Sequence, residues 1–323
     1  MHTQADTPSH VAPVTFLDPR KFIDPVRTAK GEARASVALR ALDTLWFNTG
    51  TLCNLSCTGC YIESTPTNDR LAWLGAHEVQ RYLDEIRDQG LPTSLIGFTG
   101  GEPFMNPEII AILERTLRMG FDVLVLTNAM RPLEKQRDAL LALQRQHPGR
   151  LTLRVSLDHY APEVHEQARG PRSWSPAIDG LRWLGAQGFT VHVAARQLSG
   201  ESPDALRAGF ARLFAELGLA IDAQDPVSLV LFPEMDARVD VPEITEACWG
   251  ILHKSPDDVM CASSRMVVKR SGAATPTVLA CTLLAYDTRF ELGVTLAEAA
   301  RPVALNHPHC AKFCVLGGAA CSR

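Results

Sequence analysis

The chain has 323 residues, 46% of them hydrophobic and 21% charged, with a formal net charge of −4. That length fits one large α/β domain with an appendage or two ordinary domains, and the composition is globular, not disordered. The slight acidity gives no support to nucleic-acid binding, no apolar run reaches membrane-spanning length, and the first residues lack the pattern of a secretory signal, so no nucleic-acid or membrane partner and a cytoplasmic location are expected.

Residues 1–40 are polar, contain prolines and show no period, as in an N-terminal extension partly ordered against the body. ALDTLWFNTG (41–50) reads as a strand leading into a cysteine-bearing loop. Helical spacing follows over 77–89, then a short apolar strand runs into glycines at 94–101. A helix is expected over 106–120, capped by Asn106 and closed by Gly120. Strands at 121–129, 151–158, 189–197 and 227–234 alternate with helices at 132–146, 175–188 and 202–218. The result is six βα units, hence a parallel sheet of short, continuously apolar strands buried on both faces. The pattern fits an open doubly wound sheet and an unclosed barrel equally.

After about residue 240 the texture changes. RMVVKR (265–270) and PTVLAC (276–281) are joined by SGAAT, a hairpin signal, and the rest is loop with a short helix near 295–301. The division is therefore 1–40 extension, 41–240 core and 241–323 appendage.

The nine cysteines are unevenly placed. Cys53, Cys57 and Cys60 lie together, Cys248, Cys261, Cys281, Cys310, Cys314 and Cys321 all fall in the last quarter, and Tyr61 to Ala247 has none. In a reducing compartment such a distribution points to metal or redox chemistry, not disulfides. Two clusters with an empty middle suggest two ligand sets.

The first cluster is C-x3-C-x2-C in FNTGTLCNLSCTGCYIES, directly after the first strand. Three thiolates hold three corners of an iron–sulfur cubane and leave one iron open to a small molecule. Alone, the same residues also suit part of a zinc site lacking its fourth ligand, or a dithiol at Cys57 and Cys60.

With its surroundings the motif resembles the radical SAM superfamily, over roughly residues 41–323. Thr99-Gly100-Gly101-Glu102-Pro103 resembles that family's GGE motif, whose backbone receives the amino group of S-adenosylmethionine (SAM). Thr127-Asn128-Ala129 ends the third strand, where relatives often carry a TNG-like turn. Ser156-Leu157-Asp158 ends the fourth; matching residues in relatives contact the ribose and methionine parts of SAM. His165-Glu166-x-x-Arg169-Gly170 resembles a segment whose arginine pairs with the SAM carboxylate. The resemblance thus implies a partial (β/α)6 TIM-like barrel of the α/β class. It implies a SAM-binding [4Fe–4S] cluster on Cys53, Cys57 and Cys60. It implies SAM contacts from Gly100, Gly101, Glu102, Asn128, Ser156, Asp158 and Arg169. Two departures stand out: Gly59 where many relatives have an aromatic residue, and His159 where they often have glycine.

Cys261 and Cys281 flank the hairpin, and Cys310, Cys314 and Cys321 follow. This resembles the twitch or SPASM appendage and implies an auxiliary [4Fe–4S] cluster on Cys261, Cys281, Cys310 and either Cys314 or Cys321. Four cysteine thiolates suit zinc as well. Cys248 is expected as a buried thiol, with a catalytic thiol the alternative; His307 and His309 are expected as exposed loop residues, with membership of either kind of site the alternative.

The activity implied is reductive cleavage of SAM to a 5′-deoxyadenosyl radical that abstracts hydrogen from a small-molecule or peptide substrate, with flavodoxin or ferredoxin as electron donor and an oxidised product. The extension is too short for a leader-binding module, which favours a small molecule or short peptide. Arg196, His192 and Glu234 are candidates for substrate contact. The alternative is an iron–sulfur electron carrier or sensor without SAM cleavage.

Overall fold

A computed structural model describes residues 15–317 apart from Met235. Cys321, one of the expected auxiliary ligands, lies outside the described residues.

Strand β1 (Ser36–Val37) precedes β2 (Thr44–Asn48), which leads into the cysteine loop. Then come α1 (Ala76–Asp88), β3 (Leu95–Thr99), α2 (Ile109–Arg118), β4 (Asp122–Thr127), α3 (Arg131–Glu134) and α4 (Arg137–Gln146). β5 (Leu151–Ser156), α5 (Pro162–Arg169), α6 (Trp174–Ala186), β6 (Thr190–Arg196), α7 (Pro203–Glu216) and β7 (Leu229–Phe232) complete the series. Strands β2 to β7 pair in that order, all parallel. The two end strands do not pair with each other, so this is a partial barrel. Every residue of β2 is buried, which explains the unbroken apolar run there. Leu45, Trp46, Phe47 and Phe98 anchor one contiguous core with Val79, Leu83 and Leu113 from the covering helices. Each such side chain contributes about 1.5–3 kcal/mol by burial.

Local departures from the sequence reading have local causes. The helix expected from residue 106 begins at Ile109. Asn106 is buried and uses its Nδ2 to donate to the carbonyls of Thr49 and Leu74, while its Oδ1 accepts from Glu108 N. The expected helix over 132–146 is two, α3 and α4. Helix α5 was not anticipated. Its signals were Pro162 in the first turn and Gly170 just past the end.

The C-terminal part holds α8 (Cys248–Leu252), β8 (Ser264–Val268), β9 (Thr277–Leu279), β10 (Glu291–Gly293) and β11 (Val303–Ala304). The expected hairpin is β8–β9, and β10 adds to it. β8 also pairs parallel with β2, from Thr44 opposite Ser264 to Phe47 opposite Val267. Barrel and hairpin therefore share one nine-stranded sheet, in the order β10-β9-β8-β2-β3-β4-β5-β6-β7. The expected helix near 295–301 is a single 3₁₀ turn, Glu298–Ala300. Residues Cys310–Leu316 form a π-helix.

The described part of the extension packs on this C-terminal region. β1 pairs antiparallel with β11. Arg34, fully buried, meets Glu243 at 2.5 Å and donates to the carbonyls of Asp24 and Arg27; Glu243 also accepts from Phe22 N and Ala29 N.

Candidate active site

The C-terminal ends of the parallel strands open into a cavity of about 1120 Å³, counting its mouth. Strand register puts these ends on one rim: Asn48 lies opposite Thr99, Thr127 opposite Val155, and Ser156 opposite Ala194. That is where barrel enzymes place their chemistry. Cys53, Cys57 and Cys60 line the cavity with Gly100, Gly101, Asn128, Ser156, Asp158 and Arg169.

The cysteine loop is held from three sides. Gly101 N donates to Gly50 O at 2.8 Å and Glu102 N to Leu52 O at 3.2 Å. A Cβ at Gly101 would stand 2.2 Å from Leu52 O, and one at Gly100 (φ +145°) 2.5 Å from Gly50 O. The glycine pair thus lets the end of β3 reach the cysteine loop as well as the cavity. On another side, Thr58 N donates to Ala168 O in the last turn of α5. On the third, Arg196 donates from Nη1 to Thr58 O at 2.9 Å.

Asp158 is the electrostatic centre. It is 1% exposed and accepts a fork from Arg169 (Nε to Oδ2 3.0 Å, Nη2 to Oδ1 3.1 Å) and a 2.6 Å bond from Arg196 Nη2. Burial opposes its charge, but the Arg169 and Arg196 guanidiniums outweigh that and hold its pKa down to about 2. Arg169, expected to face the SAM carboxylate, thus commits its Nε and Nη2 to Asp158.

Glu102 does not line the cavity. Its carboxylate is buried and accepts from Thr127 Oγ1 (2.8 Å), Asn128 N (2.8 Å) and Phe104 N (3.2 Å). Burial pushes its pKa up to about 7 against these three donors. Its side chain ties the end of β3 to the end of β4. Asn128 in turn donates to Asn54 Oδ1 at 2.9 Å, inside the cysteine loop. Burial also pushes the Cys53 thiol up to about 12 and raises Cys57, which the Arg169 guanidinium partly offsets. Thiolates there form as metal binds.

Of the three candidates for substrate contact, only Arg196 reaches the cavity; His192 and Glu234 do not line it. His159 is turned away. Its Nδ1 accepts from Ala161 N at 3.0 Å, so the proton sits on Nε2, which faces Glu201 Oε2 at 2.8 Å. His165 is fully buried edge-on to Trp174, and burial pulls its pKa down to about 4, so it is a neutral packing residue.

None of the eight described cysteines forms a disulfide. Cys261, Cys281, Cys310 and Cys314 line a second, almost wholly apolar cavity of about 370 Å³. Cys248 is not among them; its Sγ lies 3.3 Å from Thr245 N. His309 lines this second cavity, and His307 packs on it with ring centroids 4.6 Å apart. Both are largely buried, not exposed as expected, and burial pulls both pKa values down to about 4. Among the described residues no three His, Cys, Asp or Glu side chains are grouped tightly enough for a single metal ion. A cubane is larger than one ion and takes its cysteines from wider apart. Leu283 borders both cavities, and Phe313, between Cys310 and Cys314 on the π-helix, faces the first and stacks on Phe232 at 5.5 Å. The wider π-helical turn, often found at functional sites, serves two cavities from one short segment.

The residues missed by sequence reasoning are Phe232, Leu283 and Phe313. None carries a motif, and only the lone aromatic in HPHCAKFC hinted at Phe313.

Comparison with known proteins bears on this arrangement. The family model of the radical SAM superfamily matches residues 47–206. The antilisterial bacteriocin subtilosin biosynthesis protein AlbA of Bacillus subtilis is 32% identical over 143 residues, 44% of this chain and 30% of AlbA. SuiB of Streptococcus suis, solved with S-adenosylmethionine, matches with a TM-score of 0.57 at 12% identity, over 79% of this chain and 63% of that one. The solved structure of native anSMEcpe with bound AdoMet matches at a TM-score of 0.57 and 15% identity, over 79% of each chain. The match to AlbA spans less than a third of that relative, and likenesses at this identity to solved structures concern the fold. Among the described residues, no helix is long and apolar enough to cross a membrane.

Proposed function

We propose that the chain, which matches the radical SAM superfamily model over residues 47–206, binds a [4Fe–4S] cluster through Cys53, Cys57 and Cys60 and uses it to cleave SAM. The observation that carries this reading is the convergence of those cysteines, the Gly100–Gly101 turn, Asn128, Ser156 and the Asp158–Arg169 pair on one cavity. When bound and reduced, the cluster supplies one electron that splits SAM into methionine and a 5′-deoxyadenosyl radical, which takes a hydrogen atom from the substrate.

The chain's own residues do the rest. Gly100 and Gly101 bring backbone to the SAM amino group without a side chain in the way. Asp158 fixes the Arg169 guanidinium at the rim, where its charge favours the SAM carboxylate and the thiolate of Cys57. Asn128 and Ser156 supply hydrogen bonds to the polar parts of SAM. Ile62, Leu126, Ala194, Phe232 and Phe313 wall the cavity with apolar surface that keeps water from a reactive intermediate. Cys261, Cys281, Cys310 and Cys314 hold an auxiliary [4Fe–4S] cluster in the second cavity. The relative AlbA serves bacteriocin biosynthesis, which favours a peptide substrate over a free small molecule. Reduction comes from a flavodoxin- or ferredoxin-class donor, and the setting is the cytoplasm.

The test is anaerobic reconstitution followed by dithionite and SAM. 5′-Deoxyadenosine is expected from the unsubstituted chain and none above background from Cys57→Ala. Equal, background-level product from both would leave only an electron carrier. Iron analysis separates the two sites. About eight irons per chain are expected, falling to about four when Cys261 and Cys281 are both replaced by alanine. Stoichiometric zinc with little sulfide in anaerobically purified protein would overturn the auxiliary assignment.

A further inference from the structure

Arg265 lies on β8, four residues after Cys261, and is 1% exposed. Its guanidinium donates to four backbone carbonyls. Nη1 reaches Cys261 O at 2.6 Å and Ser264 O at 2.8 Å, Nε reaches Ala299 O at 2.9 Å, and Nη2 reaches Arg301 O at 3.2 Å. Among the described residues no carboxylate pairs with it. Arg34 and Arg169, by contrast, meet Glu243 and Asp158. Carbonyl dipoles orient a guanidinium but carry no net charge, and a full charge buried without a counter-ion is unfavourable. Burial lowers the Arg265 pKa to about 10, and the groups that oppose this are Cys261 and Cys281. Both cysteines line the second cavity with Cys310 and Cys314.

We propose that Arg265 is the fixed counter-charge of the auxiliary cluster: clamped by four carbonyls beside Cys261, it offsets the negative charge of a cysteine-ligated iron–sulfur core and raises its reduction potential. The inference rests on the iron–sulfur reading of the second cavity. Arg265 is a positioning residue that acts through the field at the cluster. Reduction adds one negative charge to the core, and a nearby guanidinium in a low-dielectric, salt-free interior stabilises that added charge. Hydrogen bonding and net charge around the sulfurs are the protein's means of setting such potentials.

The experiment uses the full chain with Cys53, Cys57 and Cys60 all replaced by alanine, so that only the auxiliary site can hold iron. The reconstituted protein is titrated with dithionite and followed by electron paramagnetic resonance. Arg265→Gln is expected to shift the midpoint to lower potential. Arg265→Lys, which keeps the charge but loses the fork, is expected to stay near the parent value. A structural role in satisfying carbonyls predicts the reverse, with lysine as damaging as glutamine. Should the glutamine variant not fold, Arg265→Met, which keeps an apolar stem and removes the charge, is expected to lower the midpoint likewise. An unchanged midpoint in Arg265→Gln, or in Arg265→Met, overturns the inference. A parent protein that binds no iron at all overturns the iron–sulfur reading instead, so the two failures are distinct.

Discussion

Replacing Asp158 by Asn is expected to reduce 5′-deoxyadenosine formation by about a hundredfold, the scale set by a misplacement of about 1 Å at a reacting centre. Among the described residues, Asp158 is the only carboxylate that pairs with Arg169 or Arg196. Neutralising it leaves two guanidiniums close together with no counter-charge, and Arg196 also carries the link to Thr58 in the cysteine loop. Removing one partner of a buried ion pair costs about 3–5 kcal/mol. The variant is therefore expected to unfold at lower denaturant and to bind SAM with a displaced Arg169. Wild-type rates with an unchanged denaturation midpoint would refute this. Acid should mimic the substitution. The folded pKa of Asp158, about 2, lies below the ordinary carboxylate value of 3.8. Its contribution, about 2 kcal/mol, is complete above roughly pH 4 and is lost as pH falls through the folded value. Denaturation midpoints from pH 5 down to pH 2 should fall more steeply for the unsubstituted chain than for Asp158→Asn.

The second large effect concerns a residue with no side chain. Gly101→Ala places a Cβ 2.2 Å from Leu52 O and 2.7 Å from Thr51 O, and backbone cannot rotate away as a flexible side chain would. Overpacking of this kind costs about 1–3 kcal/mol. The larger consequence is positional, since the displaced atoms lie next to Cys53. After reconstitution the variant should hold about four irons per chain instead of about eight. The remaining iron should sit in the second cavity, with SAM cleavage abolished. Full iron content and normal cleavage would show that the close approach does not hold the cysteine loop. Gly100→Ala, at φ +145° and 2.5 Å from Gly50 O, should behave alike.

Much of this was legible in the amino-acid order because it is local or periodic. The alternation of apolar runs with helical spacing specified six parallel units, since strands buried on both faces leave continuous apolar runs. C-x3-C-x2-C, the glycine pair, Asn128, Ser156 and Asp158 each lie at or just after a strand end, and parallel register brings strand ends to one rim. The hairpin was marked by its turn residues. The tertiary structure alone decided what depends on contacts between distant segments. It placed β8 beside β2, a parallel pairing across more than two hundred residues that leaves no local trace. It set the Glu102 carboxylate against Thr127 Oγ1 and Asn128 N, and it paired Arg169 with Asp158, because a buried charge takes the nearest opposite charge in space, not in sequence. It set Cys314 on the second cavity beside Cys261, Cys281 and Cys310. It set Leu283 at the border of the two cavities and Phe313 on the first, and left Arg265 buried among backbone carbonyls without a carboxylate partner among the described residues. Period and motif are properties of a segment; burial and electrostatic partnership belong to the packed whole.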